Sequence, residues 1–395
     1  MTHSTPAAAS KGRADRRALV VGGGIAGSSA AWWLERTGWD VVLVEENRDT
    51  SRGAYLIQLD RTALTILERM GATEIVEAVS FPAPAISLRL GRRPRPRTSS
   101  LDVGGYRLAH RGPLIGALLA HVPDAVEQRP GISLTALEHY ADEVRARFSD
   151  GTVDAFDIVV GADGIHSTVR RMMLAPDSHS VYHNGVSHIW INLDQEMTTG
   201  NKAVVVGREG SLLQIYPYPG TARTLLVAAL RVPADPDLPA LLGQISVIAH
   251  RAGHDLANLA DAIPSATEVR LTRFAQTRQS RWHTRRVVLV GDAAHCIDPL
   301  SGMGAHGALL GTSTLARELQ ATPDVTQAFA HYEARVRPFT QISQRATART
   351  VEYFTHTDTR ERLTTLIRGM GELAATLPTA LSRIGRHSLA GRATP

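Results

Sequence analysis

The sequence predicts an α/β fold: a parallel-sheet domain interrupted by an inserted antiparallel β-sheet domain and followed by C-terminal helices. Three observations predict it. Apolar, β-branched runs at Ala18–Val21, Thr152–Val160 and Val287–Val290 each lead into a glycine-bearing stretch, as strands buried on both faces do when they stop beside a ligand loop. Between the second and third of these, strand-like segments alternate with Gly-bearing turns. Beyond residue 316, apolar residues recur at steps of three and four.

At 395 residues, 43% hydrophobic and 21% charged, the chain has the make-up of a globular protein large enough for two domains. Its net charge of +5 comes from arginines scattered among nearly as many acids, with Lys11 and Lys202 the only lysines; charge spread in this way argues against a nucleic-acid partner. The single cysteine, Cys296, excludes an internal disulfide and a cysteine-based metal cluster, and no other metal-ligand spacing occurs. Residues 1–16 are small, polar and basic, and no stretch approaches the ~18 apolar residues of a membrane span. A cytoplasmic protein with a floppy N-terminal tail is expected.

The first buried strand enters Gly22-Gly23-Gly24-Ile25-Ala26-Gly27, a helix-like stretch runs to Thr37, and Asp40–Val44 is a second strand ending at Glu45. Strand, G-x-G-x-x-G, helix, strand and acid make a Rossmann-type dinucleotide site. Gly22 makes the tight turn, Gly24 lets the backbone meet a pyrophosphate, and Gly27 lets helix and strand pack closely. Glu45 is placed to accept from ribose hydroxyls and would repel a 2′-phosphate, which leaves FAD or NAD at this site. A Gly-rich turn of purely structural use is the bland alternative. Helices are expected at Arg61–Met70 and from Arg111, where Pro113 suits a first turn, and a strand at 86–90. Arg92, Arg93, Arg95 and Arg97, broken by Pro94 and Pro96, read as a solvated loop, with capture of an anionic cosubstrate as the sharper reading.

Val144–Phe148 and Thr152–Val160 form a hairpin about Ser149-Asp150-Gly151, and its second arm runs into Gly161-Ala162-Asp163-Gly164. Val186–Leu193, Lys202–Val206, Leu212–Tyr216 and Thr224–Val232 are strands of an antiparallel sheet that should roof the first domain. Alternation puts Leu212, Gln214 and Tyr216 on one face of it and Leu213 and Ile215 on the other. After Val287–Val290 come Gly291, Asp292, a loop with Pro299, Gly302 and Gly304, and a helical run whose free N–H groups and dipole favour an anionic partner. Taken alone, this stretch reads equally well as an ordinary strand–loop–helix crossover. The stripe Leu363, Leu366, Met370, Leu373, Leu377, Leu381 and Ile384 would pack on the protein's own body or on a second subunit, so a monomer or homodimer is expected.

Together, GGGIAG with Glu45, GADGIHSTVR and GDAAHCIDPLSGMG resemble the motifs of the single-component FAD-dependent aromatic hydroxylases. This monooxygenase family includes para-hydroxybenzoate hydroxylase and the tetracycline-modifying enzymes. The resemblance implies a glutathione-reductase-like FAD-binding domain over 17–80, 107–172 and 275–345, a substrate sheet domain over 81–106 and 173–274, and a helical segment over 346–395. It implies that Gly22, Gly24, Gly27 and Glu45 hold the ADP part of FAD, with Ile25, Ala26, Glu46, Arg52 and Gly53 also in the cofactor site. Arg111 would touch FAD, and Asp163, Gly164 and Arg170 would brace the place where FAD and the nicotinamide cosubstrate meet. Asp292, after Gly291, would lie on the ribityl hydroxyls, and Pro299, Gly302, Met303, Gly304 and Ala305 would border the flavin ring. Two positions depart from the family pattern: His306 stands where an Asn is common and Gly311 where an Asp is. His306 reads as a substitute hydrogen-bonding group rather than a catalytic acid.

The activity implied is reduction of FAD by a transiently bound NAD(P)H, addition of O2 at the flavin C4a as a hydroperoxide, and hydroxylation or epoxidation of an aromatic or polycyclic substrate of secondary-metabolite type. Trp190, Asn192, Gln214, Tyr216 and Pro299 are the expected substrate contacts, and no catalytic acid or base is identifiable. An FAD-dependent oxidase or reductase on the same fold, without oxygen insertion, is the alternative; a noncatalytic NAD-binding protein would be colourless.

Overall fold

The computed structural model describes residues 16–50, 55–90, 99–101, 105–195, 202–208, 210–233, 235–253, 256–266, 268–352 and 364. Arg17–Val21, Asp40–Glu45, Ile158–Gly161 and Val287–Leu289 are made mostly of Val, Leu and Ile and are buried almost throughout. They sit in a six-stranded sheet of order His283–Thr284, Val287–Leu289, Ile158–Gly161, Arg17–Val21, Asp40–Glu45, Glu127–Pro130. Neighbours are parallel except for the edge pair His283–Thr284 with Val287–Leu289. Three adjacent strands therefore release the three glycine stretches at the same end of the sheet, with Glu45 ending the next strand. The strand order reverses about Arg17–Val21, and such a switch point opens a crevice at the carboxyl ends.

The expected hairpin arm Thr152–Val160 is two strands rather than one. Val153–Phe156 pairs with Val144–Phe148 in a three-stranded sheet, and Ile158–Gly161 crosses into the parallel sheet. The chain switches at Asp157, whose N–H donates to the Arg17 carbonyl at 2.9 Å and whose carboxylate accepts from the Arg17 N–H at 2.6 Å.

A seven-stranded sheet forms the roof, in the order Glu268–Thr277, Val181–Leu193, Thr224–Arg231, Ser211–Pro217, Ala203–Arg208, Ile86–Leu90, Ser99–Leu101. It is not purely antiparallel as expected. Ile86–Leu90, arriving from a segment more than a hundred residues earlier, pairs parallel to Ala203–Arg208 because no hairpin constrains its direction. Two helices that strand alternation did not signal, Leu238–Ala252 and Ala257–Ala262, cover its far face, where Ile189, Ile191, Leu213 and Ile215 pack on Leu241, Ile245 and Ile248. The near face meets the small sheet of Leu56–Leu59, Arg107–His110 and Ser80–Pro82, with Leu225 and Val227 against Leu56 and Leu108.

Gly304–Ala321 and the 28-residue helix Val325–Glu352, which contains Pro338, follow the parallel sheet. The stripe from Leu363 to Ile384, the tail before Arg16 and the arginines at 92, 93, 95 and 97 lie outside the described residues. No helix among the described residues is long and apolar enough to cross a membrane.

Candidate active site

Each glycine of the first turn has a distinct spatial reason. Gly22 has φ +103°, and a Cβ there would lie 2.7 Å from the Ala162 carbonyl oxygen; at Gly27 it would lie 1.7 Å from the Gly22 carbonyl oxygen. At Gly24 a Cβ would meet nothing within 4 Å, because that position faces a cavity. The helix Ile25–Arg36 starts there without a side-chain cap or an acid in its first turn, leaving N–H groups and the positive dipole end directed at the cavity. Glu45 accepts from the Gly23 N–H at 2.6 Å and from the Asn47 backbone and side chain at 2.9 Å, so its carboxylate is held at the rim of the same turn.

In the second stretch Asp163 accepts from Ser167 Oγ at 2.5 Å and from the Val169 N–H at 3.0 Å. Burial pushes its carboxyl above the usual range, and these donors oppose the push. Arg170 is fully buried and does not line the cavity. Its guanidinium donates to the Ala293 carbonyl at 3.0 Å and the Ile165 carbonyl at 2.5 Å and pairs with Asp177. It clasps the second glycine stretch to the third from behind.

In the third stretch Gly291 has φ +57°, and a Cβ would come within 2.7 Å of Ala26 Cβ. Asp292 is exposed to the cavity. Its depth in the molecule pushes its carboxyl above the usual range, and the Cys296 thiol and the Arg111 guanidinium oppose the push. Asp298 is buried at φ +107°, accepts from the Leu300 N–H at 3.0 Å and from Asn184 Nδ2 at 2.7 Å, and is pushed by burial up to about 7. A single 3-10 turn, Pro299–Ser301, then leads through Gly302 at φ +66° to the helix beginning at Gly304.

His306 lies just behind that helix start and does not line the cavity. Nδ1 is 2.6 Å from Asp60 Oδ2, and the ring stacks on Phe339 with centroids 4.7 Å apart. Asp60 also caps Arg61–Arg69 through the Ala63 N–H. Burial raises the Asp60 carboxyl, but His306 and the backbone donors outweigh it and hold the carboxyl below its ordinary value. Gly311 makes room for His295 and Tyr332: a Cβ there would lie 3.2 Å from His295 Nε2 and 3.5 Å from the Tyr332 hydroxyl.

The glycine stretches and the roof enclose a cavity of about 1010 Å3. From the first motif it is lined by Gly22, Gly24, Ile25, Ala26, Glu45 and Glu46; Gly27 turns into the packing behind it. Arg111, Asp163, Gly164 and Trp190 line it as well. From the third it takes Asp292, Pro299, Gly302, Gly304 and Ala305, whereas Gly291 does not line it and Met303 packs into the core. Arg52 and Gly53 lie outside the described residues.

Three of the expected substrate contacts do not reach this cavity. Tyr216 donates to Gln214 Oε1 at 2.9 Å, and Asn192 accepts from the Tyr218 hydroxyl at 2.9 Å. Alternation assigns a face of the sheet, but part of that face is spent on packing against Leu56 and Leu108. Among the cavity residues that escaped the sequence reading are Tyr55 and Arg270. The alternation of Val269 and Leu271 with Arg270 was the available signal for the second.

A family model described as the FAD binding domain matches residues 15–347. The 3-amino-4-hydroxybenzoate 2-monooxygenase of Streptomyces cremeus is 30% identical over 354 residues, covering 86% of this chain and 88% of that one. Among solved structures, Klebsiella pneumoniae HpxO complexed with FAD and uric acid has a TM-score of 0.77 at 23% identity, covering 93% of this chain and 97% of that one. Pseudomonas aeruginosa PqsL in complex with 2-aminobenzoylacetate has a TM-score of 0.74 at 23% identity, covering 89% and 99%. These two likenesses establish the fold; the family match and the sequence relative establish membership. The chain belongs to the FAD-dependent monooxygenases of the aromatic hydroxylase type.

Proposed function

We propose that the protein uses NAD(P)H and O2 to hydroxylate or epoxidise an aromatic or polycyclic small molecule of secondary-metabolite type in the cytoplasm. The observation that carries this reading is the convergence of three glycine stretches on one cavity that Trp190 and Arg270 of the roof sheet also line. The residues fit FAD. Before Gly24 and Gly304 there is open space where a side chain would stand, so bare backbone is free to meet a cofactor. Gly24 and the first turn of Ile25–Arg36 would hold the pyrophosphate, Glu45 the adenosine ribose, Asp292 the ribityl hydroxyls, and the N-terminus of Gly304–Ala321 the pyrimidine end of the ring.

When bound, the flavin supplies the redox chemistry, accepting electrons from NAD(P)H and delivering one oxygen atom of O2. The protein's own part is positioning and electrostatics. The N–H groups at Gly304 favour the negative charge that reduction brings, Trp190 offers ring surface from above, and the roof keeps bulk water from the reacting centre. The ring compounds named for the similar proteins support a small cyclic substrate here.

The test is an absorption spectrum for bound flavin, followed by NADH and NADPH oxidation over a panel of aromatic compounds, with product masses checked for one added oxygen. Hydrogen peroxide without an oxygenated product, across the panel, would replace this reading with an oxidase or reductase.

A further inference from the structure

Asp60 and His306 form a buried pair that the roles given to the cofactor-holding residues leave unused. Nδ1 of the ring lies 2.6 Å from Asp60 Oδ2, and the two residues are 7% and 1% exposed. Asp60 follows the strand Leu56–Leu59, and Tyr55, Leu56, Ile57 and Gln58 line the cavity. His306 stands two residues beyond Gly304, about 3 Å along the helix from the bare backbone that meets the same cavity. These two walls touch, since a Cβ at Gly302 would lie 3.3 Å from Gln58 Oε1. The pair therefore sits behind the corner where they meet.

Tying the walls together needs one donor, and the Nδ1–H supplies it as an asparagine amide would. Histidine adds a second nitrogen, and Nε2 is buried with no hydrogen-bond partner among the described residues. With Nδ1 donating, Nε2 of the neutral ring carries a bare lone pair; a proton there makes the ring a cation held against a carboxylate. Negative charge nearby favours that proton. Asp60 supplies one unit, because His306 and the backbone donors keep its carboxyl below its ordinary value. Around the pair, among the described residues, Arg61 adjoins Asp60, Tyr106 feels both, and the uncharged Phe339 faces the ring from the helix Val325–Glu352. Reduction of a flavin at the Gly304 end of the cavity brings a second unit of negative charge, and buried charges are screened little.

We propose that His306 takes up a proton at Nε2 when the flavin is reduced and releases it on reoxidation, so that the Asp60–His306 pair offsets the charge of reduction and makes it pH-dependent. NAD(P)H gives the flavin a hydride, which is two electrons and one proton. A second proton passes from solvent to Nε2, and that N–H is the one bond formed in the protein. His306 does not touch the cofactor; it is a positioning residue that acts through its charge. This role rests on the FAD reading of the cavity and not on oxygen insertion or on the substrate.

The test is the midpoint potential of the flavin in the holoprotein, measured without oxygen against reference dyes between about pH 5 and 8, where imidazoles titrate. Each proton taken up with two electrons adds about 30 mV of slope per pH unit, the equivalent of a tenfold change in proton activity. Wild type should show a window with one more proton per electron pair than His306→Asn, whose amide keeps a donor for Asp60 but cannot hold the proton. Flavin content and circular dichroism should be unchanged in that variant. Asp60→Asn removes the counter-charge that favours the cation, so it should move the window to lower pH. A wild type that takes up one proton per electron pair throughout overturns the inference, whatever the variants do. So does an extra proton that survives His306→Asn, which then belongs to the flavin itself. If His306→Asn holds no flavin, Asp60→Asn decides: a shifted window supports the pair and an unmoved one overturns it. A His306-dependent proton in a protein that never yields an oxygenated product would keep the pair and remove the monooxygenase reading instead.

Discussion

Gly24 and Gly27 are three residues apart in one motif and do opposite things. Gly27 leaves no room, with a Cβ position 1.7 Å from the Gly22 carbonyl oxygen, while Gly24 opens on the cavity. Gly27→Ala is therefore expected to destabilise the fold by about 1–3 kcal/mol or more through overpacking, and Gly24→Ala to leave the melting temperature nearly unchanged while weakening FAD binding. Calorimetry and a flavin titration on both variants check the contrast. Asp292 is a charged side chain of the third stretch that lines the cavity, and a lost charge-assisted contact is worth about 1.5–3 kcal/mol. Asp292→Ala should accordingly bind FAD about 10-fold or more weakly, read as flavin absorbance per protein after gel filtration; a variant that stays fully yellow takes Asp292 out of the cofactor site.

The loop from Asp298 to Gly302 holds its shape through an uncommon device, a buried carboxyl in the left-handed region at the junction of sheet roof and helix start. Leu300, Asn184 and the more distant Arg278 oppose the burial that lifts it to about 7. Because folding raises this carboxyl above its unfolded value near 3.8, the folded state keeps a proton that the unfolded chain releases. Its contribution to stability is full below that unfolded value and is lost as pH rises towards about 7. Asp298→Asn should flatten the fall in unfolding free energy across that window, measured by urea titration at a series of pH values. The elements flanking this loop were legible from local signals: the buried run at 287–289, the glycines, and the small-residue helix after Gly304. The loop's tie to Asn184 was not, since 114 residues separate the partners.

At the scale of the whole molecule, the cavity belongs to neither sheet alone. Its floor is the ends of the parallel strands and its ceiling is Trp190 and Arg270. A ligand that bridges them stabilises the folded chain by mass action, about 2.7 kcal/mol at a hundred times its dissociation constant. Added FAD should raise the melting temperature of flavin-depleted protein and continue to raise it with concentration. A melting temperature indifferent to FAD would mean that the cavity does not hold it.

What the sequence determined by itself are the features with local causes. Short Val-, Leu- and Ile-rich runs closed by glycine read as strands buried on both faces, and glycines at positions 22, 27 and 291 are demanded by turns and close contacts that leave no room for a side chain. Only the tertiary structure decided which of these meet. Strand order placed the ends at Val21, Gly161 and Leu289 side by side; Asp157 split one arm between two sheets; Gln214 and Tyr216 bonded to each other instead of opening on the cavity. His306 found Asp60 across 246 residues, and Arg270 came to rest on Tyr55. Such pairings depend on how packed layers exclude water from one face and leave it on another. That choice is made by the assembled sheets, not by residues near in sequence.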